Sequence, residues 1–245
     1  MLLACRSREK AEAAREKLRT ATGNDAVSVG VVDLGSRASI RQLAASVKRE
    51  LDALHVLVNN AATFSMRRRT SPDGVELTWA TNQLGYFLLT RELLPLLSAT
   101  PGARVVNVAS ELARGLDLGD VQFARRRYDG ITAYAQSKQA NRMFTWALHR
   151  RTGGAPAANA VHPGGVATPL VSKGGGLLMR LVGALVGLRG KSPAEGADTP
   201  LWLATSPELE GVSGRFWVDR RERPCRFRDP EHEERLWELC ESMTS

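Results

Sequence analysis

Short apolar runs alternate with longer amphipathic stretches from one end of this sequence to the other, and that alternation constrains the fold more than any other feature. The runs Met1–Ala4, Val27–Val32, Val56–Val58, Arg104–Val108, Ala158–Val161 and Arg215–Val218 have the length of strands. Between them lie Ser7–Leu18, Ser36–Leu51, Leu77–Leu97, Ala133–Arg151 and Pro193–Ala204, where apolar residues recur at helical spacing. Ile40, Leu43, Ala44 and Val47 make one such face, and Ser7 and Ser36 stand where N-caps belong. Strands that are apolar on both faces and alternate with helices form a parallel sheet covered on both sides. The sequence therefore predicts an α/β chain with a doubly wound, mostly parallel sheet. No break in composition divides the 245 residues, so one domain is expected over 1–245.

The net charge of +8, carried mainly by arginine, favours anionic partners. The clusters Arg67-Arg68-Arg69 and Arg125-Arg126-Arg127 have no interleaved aromatics, which argues against nucleic acid. Cys5, Cys225 and Cys240 show neither metal nor disulfide-framework spacing, as expected of a reducing compartment. No secretory signal is read at the start. The most apolar run, Leu177–Leu188, is interrupted by Arg180 and falls short of the roughly 20 residues a membrane span requires. A cytoplasmic protein without stable membrane insertion is the expectation, and a homo-oligomer stays open.

Tyr134-Ala-Gln-Ser-Lys138 opens a helix and puts a phenol and an ammonium on the same face. A cation beside a phenol stabilises the phenolate and brings its pKa, ordinarily near 10, toward neutrality. A tyrosine so placed serves as a general acid or base. Arg104-Val-Val-Asn-Val-Ala-Ser110 is a strand ending on a serine, at the sheet edge where ligands bind in open α/β folds. Val56-Leu-Val-Asn59-Asn60-Ala61-Ala62 ends in two carboxamides, Asn82 follows in the next helix, and Val161-His162-Pro163-Gly164-Gly165-Val166-Ala167-Thr168 closes a strand with a Pro-Gly turn. In such folds the first strand leads into a glycine-rich turn that holds a pyrophosphate. Here Met1–Ala4 leads into Cys5-Arg6-Ser7-Arg8, with no glycine.

In this set of motifs the chain resembles the short-chain dehydrogenase/reductase family, and within it the retinol-dehydrogenase-like branch. Leu3-Ala4-Cys5-Arg6, Tyr134-Ala-Gln-Ser-Lys138-Gln-Ala-Asn141, Ser192-Pro-Ala-Glu-Gly-Ala197, Gly214-Arg-Phe-Trp-Val-Asp219 and Arg235-Leu-Trp-Glu-Leu carry the narrower likeness. The resemblance implies a Rossmann-like fold and an NAD(P)-dependent oxidoreductase that interconverts an alcohol and a carbonyl on an apolar small molecule. It implies Tyr134 as the acid/base and Ser110 as the hydrogen-bond donor to the substrate oxygen. Lys138 would lower the tyrosine pKa and bind the nicotinamide ribose, and Asn82 would hold a relay water. It also implies cofactor contacts from Asp33, Asn59, Ala61, Pro163, Gly164, Val166 and Thr168. Arg6 would meet the 2′-phosphate of NADP, with NAD as the alternative cofactor. The family's Asn-Asn-Ala-Gly reads Asn-Asn-Ala-Ala here, which places a methyl group at Ala62.

The family order of strands would put a further strand between Met1–Ala4 and Val56–Val58, so the chain reads as beginning one strand and one helix late. Those two segments are expected to stand apart or to re-pair. The segment Val171–Lys191, rich in glycine and leucine, takes the position of a substrate lid. Two other readings stay open. One is a scaffold that has lost the phosphate loop and catalysis; the other is a membrane-surface module built on Leu177–Leu188. His162 is read as structural rather than as a metal ligand or base.

Overall fold

The computed structural model describes residues 1–166 and 190–245. Thr168, the run Leu177–Leu188 and nearly all of the expected lid lie outside the described residues. The chain begins β1 (Leu2–Cys5), α1 (Arg8–Thr22), β2 (Ser28–Val31), α2 (Arg37–Glu50) and β3 (Val56–Asn59). Both expected caps form. The Ser7 hydroxyl accepts from the Lys10 amide at 3.3 Å, and the Ser36 hydroxyl from the Ser39 amide at 3.4 Å.

The helix expected over Leu77–Leu97 is present but not uniform. It runs as a short α3 (Leu77–Trp79), one π-helical turn (Ala80–Leu84) and α4 (Gly85–Ala99). Such widened turns concentrate at functional sites, and this one carries Asn82. Gly85 follows because the helix lies against the β2–α2 connection. A Cβ there would meet both Leu34 Cβ and the Leu34 carbonyl oxygen at 2.8 Å.

The second half comprises β4 (Arg104–Val108), α5 (Gly130–Thr152), β5 (Ala157–His162), α6 (Pro193–Thr205), β6 (Arg215–Val218), β7 (Arg221–Glu222) and α7 (Pro230–Thr244). The last strand and helix go beyond the elements read from the sequence. The stretch around α7 is heavily charged, and its signal is the cap: Asp229 accepts from the Glu231 and His232 amides ahead of Pro230. Its buried face is Glu233, Leu236, Trp237, Cys240 and Thr244.

The strands form two separate sheets. β1 pairs in parallel with β2; β3, β4, β5 and β6 form a second parallel array, closed at its edge by antiparallel β7. β1 and β3 do not pair, so the expected separation of these strands is found. The central strands have the two-sided burial read from the sequence. Val105, Ala158, Phe216 and Val218 join the larger core with α2, α4, α5 and α7, while Val106, Val161 and Trp217 join a smaller one with Leu203 of α6. The edge strands do not: Val58, expected under cover, is 43% exposed. β3 is the edge of its sheet, with no strand paired on its outer side among the described residues.

Candidate active site

β4 delivers Ser110 to the carboxyl edge of the larger sheet, where its hydroxyl accepts from the Leu112 amide at 3.2 Å. α5 then brings its first turns against the same edge. Asp129 caps it by accepting from the Ile131 and Thr132 amides, and Gly130 lets it approach the loop before α3. A Cβ on Gly130 would lie 2.3 Å from the Ser65 carbonyl oxygen. That close approach sets Phe64 edge-on to Tyr134, with ring centres 5.9 Å apart.

Lys138 is fully buried, one turn beyond Tyr134. Its ammonium donates to the Val108 carbonyl at 2.7 Å and to Asn141 Oδ1 at 3.2 Å. It lies 5.8 Å from the centre of the Tyr134 ring and 5.4 Å from that of Tyr86. No carboxylate pairs with it among the described residues, and burial pulls its pKa down to about 7. Burial pushes the Tyr134 phenol up, while the neighbouring Ser110 hydroxyl acts in the opposite direction. The group that acts against burial here is Ser110, not the Lys138 expected from the sequence. The phenol is the protonated, acid form at neutral pH.

Asn82 is buried in the π-helical turn. Its Oδ1 accepts from the Thr63 amide at 2.7 Å, and its Nδ2 donates to the Thr63 carbonyl and to Ser137 Oγ. Its own carbonyl accepts from Asn141 Nδ2 at 2.7 Å. The side chain therefore staples the β3–α3 loop to α5. Asn141 in turn joins Lys138 to this brace. Beneath it, Asn59 Nδ2 donates to Thr90 Oγ1 and to Asn107 Oδ1, and Asn107 Nδ2 donates to Thr145 Oγ1. Asn59 is buried and its amide is turned into the core by these contacts. Tyr86 is also buried, and its hydroxyl has no partner among the described residues.

The remaining predicted residues line the same sheet edges. Arg6 is exposed directly after β1, and Asp33 lies after β2, where its Oδ1 accepts from the Gly35 amide at 2.8 Å. Ala61 is exposed beyond β3. Pro163 and Gly164 turn the chain after β5, with Gly164 at φ +91°, a conformation that favours glycine. Val166 forms a parallel bridge with Lys191. His162 is partly buried, with Nε2 3.4 Å from Glu111 Oε2, and burial lowers its pKa. No group of three metal-type side chains occurs among the described residues.

Sequence reasoning missed Arg142. It is buried one turn past Lys138, and its guanidinium donates to the Ser110 carbonyl. The signal was present: Tyr134, Lys138 and Arg142 recur every fourth residue on one helix face.

A serine hydroxyl, a protonated phenol and a buried ammonium so converge at the end of a parallel sheet. A family model described as short chain dehydrogenase matches residues 1–175. The chain belongs to the short-chain dehydrogenase family. Within this family it is similar to the retinol dehydrogenases. It is 37% identical to retinol dehydrogenase 13 of Mus musculus over 246 residues, covering 97% of this chain and 74% of the relative. Against retinol dehydrogenase 11 of Homo sapiens it is 38% identical over 222 residues, covering 89% and 68%. Among solved structures, an uncharacterized protein from Mycobacterium Paratuberculosis superposes with a TM-score of 0.72 at 29% identity, covering 99% of this chain and 83% of that one. The NADPH-bound carbonyl reductase from chicken fatty liver shares the fold, with a TM-score of 0.58 at 23% identity over 88% of this chain and 83% of that one. As a short-chain dehydrogenase the protein is an NAD(P)-dependent oxidoreductase acting on CH–OH groups.

The two ends of a dinucleotide fit this short-chain dehydrogenase unequally. At the nicotinamide ribose end Lys138 uses two of its three N–H donors within the protein, which leaves one for a ribose hydroxyl. At the β1–α1 turn no glycine is present, and the Ser7 hydroxyl already caps the helix. That turn does not fit a pyrophosphate.

Proposed function

We infer that the protein reduces the carbonyl of an apolar small molecule, with Tyr134 as the acid. The observation that carries this reading is the convergence of the Ser110 hydroxyl, the Tyr134 phenol and the Lys138 ammonium. Ser110 donates to the carbonyl oxygen and fixes its direction. Tyr134 then gives its proton to that oxygen as charge develops on it. Lys138, beside the ring and poised near neutrality, stabilises the phenolate left behind and supplies the route by which it is reprotonated. When bound, the nicotinamide supplies the hydride. Asn82 braces the loop and helix that bear these groups, and the relay water implied by the resemblance would sit beside it.

The apolar nature of the substrate rests on the rim of the site. Met66, Leu112 and Ile131 are among the exposed large apolar residues, and they flank the loop, serine and helix start that form the centre. The Arg114 amide donates to the Ala135 carbonyl, which holds the Leu112 loop against α5. With Phe64 against Tyr134 they offer an oily entrance. The names of the similar relatives, retinol dehydrogenases, agree with an apolar alcohol or aldehyde. NADP is the favoured cofactor because Arg6 is exposed at the end of β1 and pairs with no carboxylate among the described residues. Three free thiols support a reducing, cytoplasmic setting.

Monitoring NADPH oxidation with an apolar aldehyde such as decanal tests this reading. Aldehyde-dependent oxidation that disappears in Tyr134→Phe is the expected result. Turnover that survives the substitution would overturn it.

A further inference from the structure

We propose that Arg142 is a positioning residue for Ser110, setting the direction of the serine hydroxyl by gripping its backbone; this rests on the oxidoreductase reading above. Lys138 and Arg142, one turn apart on α5, hold two carbonyls at the end of β4. Lys138 donates to Val108 O and Arg142 to Ser110 O. The peptide units Val108–Ala109 and Ser110–Glu111, which bracket the serine's approach to the site, are therefore both tied to the helix that carries Tyr134. A serine fixed in this way keeps its hydroxyl in register with the phenol as charge builds on the substrate oxygen.

The surroundings of Arg142 indicate that fold stability alone does not account for it. It is 6% exposed, yet no carboxylate pairs with it among the described residues. Its guanidinium lies 3.6 Å from the centre of the Phe216 ring and 5.7 Å from that of Phe227. Its second donor contact is the Cys225 sulfur at 3.7 Å, and its Nε has no partner among the described residues. The Glu111 carboxylate acts on Arg142 only at a distance, without a salt bridge among the described residues, and a buried cation so weakly compensated is often replaced by an apolar side chain of similar size at little cost to stability. Among the described residues, the one charge-assisted hydrogen bond Arg142 makes to backbone goes to the serine of the active site.

The proposal separates activity from stability, and a double-mutant cycle measures it. Arg142→Met should keep or raise the melting temperature while lowering kcat for decanal reduction by about tenfold or more, the range expected of a lost charge-assisted hydrogen bond. In a Ser110→Ala background the same substitution should have little further effect on kcat, because the group it positions is gone. Arg142→Lys, which keeps a charge and a donor, should recover part of the loss. Should Arg142→Met not fold, Arg142→Gln takes its place in the cycle. Failure of both variants to fold would overturn the proposal, since Arg142 would then be a structural residue. So would a kcat within twofold of the unmutated chain, or losses that simply multiply in the Ser110→Ala background. Tyr134→Phe run in parallel separates the two levels. Turnover that needs Tyr134 but ignores Arg142 removes this inference alone, whereas turnover that is absent, or that ignores Tyr134, removes the oxidoreductase reading and this inference with it.

Discussion

The Lys138 ammonium lies 5.8 Å from the centre of the Tyr134 ring, and the lysine is buried where burial brings its pKa down to about 7. The phenol beside it is held in its acid form by burial. The pair therefore combines a phenol that keeps its proton at neutral pH with a lysine that titrates there. For carbonyl reduction both must be protonated. The rate should be highest below about pH 7 and fall as the pH rises through the lysine pKa. In Lys138→Met that limb should vanish along with most of the activity. A pH–rate profile flat from about pH 6 to 9 in the unmutated protein would contradict the assignment.

Removing the phenolic hydroxyl alone is the sharpest test of the acid. Tyr134→Phe keeps the ring that packs on Phe64, so the fold should persist. Turnover should drop by about 10²–10⁴-fold, the range of a general acid. Steady-state kinetics beside a thermal melt would check both halves of this expectation, and activity within threefold of the unmutated protein would exclude the role.

The same lysine makes a stability prediction of known sign. Its folded pKa of about 7 lies below its unfolded value, so between those values the unfolded chain binds the extra proton. Stability contributed by this site thus rises as pH increases above 7 and is poorest below it. Lys138→Met should stabilise the fold most at pH 7 and below. The gain should shrink toward pH 10, by about 1.4 kcal/mol for each pH unit crossed between the folded and unfolded pKa values. Urea titrations at about pH 6.5 and 10 read this difference. An equal gain at both values would show that charge burial is not its source.

Much of this site was legible because its chemistry is local. Tyr134 and Lys138 share one helix face by spacing alone, and Ser110 ends a strand whose apolar run is unmistakable. What the sequence concealed depends on long-range contact. Asn82 reads as a polar helix residue, but its function as a staple depends on Thr63 and Ser137, which the fold brings to it. The amide of Asn59 points into the core because Thr90 and Asn107 meet it there. The π turn around Asn82 leaves no periodic signature in the sequence, since one widened turn shifts the apolar stripe only slightly. The charged segment leading to α7 hid a helix whose buried face is set by packing on α5.

Cofactor preference should follow Arg6, which is exposed immediately after β1. A guanidinium in reach of a 2′-phosphate contributes about 1.5–3 kcal/mol, a preference of tens-fold or more. NADPH should therefore be used better than NADH, and Arg6→Ala should narrow the gap chiefly through KM. Preference for NADH in the unmutated protein would refute the role given to Arg6.

The gap between the two sheets should make the β1–α1–β2 unit the first part of the molecule to open. Among the described residues β1 pairs only with β2, and α1 buries only Ala11, so this unit contributes little apolar surface to the core. Its amides should open with a free energy far below that of the central strands, whose neighbours lie on both sides. Hydrogen exchange should reach Leu2–Cys5 and Ser28–Val31 well before Val105–Val108 and Ala158–Val161. The same unit carries Arg6 and the glycine-free turn, so a loosely held β1 also means weak dinucleotide binding. Calorimetry on this 245-residue chain should find NADPH bound more weakly than micromolar, so that its turnover is measured at millimolar cofactor. If NADPH bound at micromolar affinity and slowed exchange in β1 alongside that in β4, the dinucleotide would be joining the two sheets. The pyrophosphate would then be held by groups other than the β1–α1 turn.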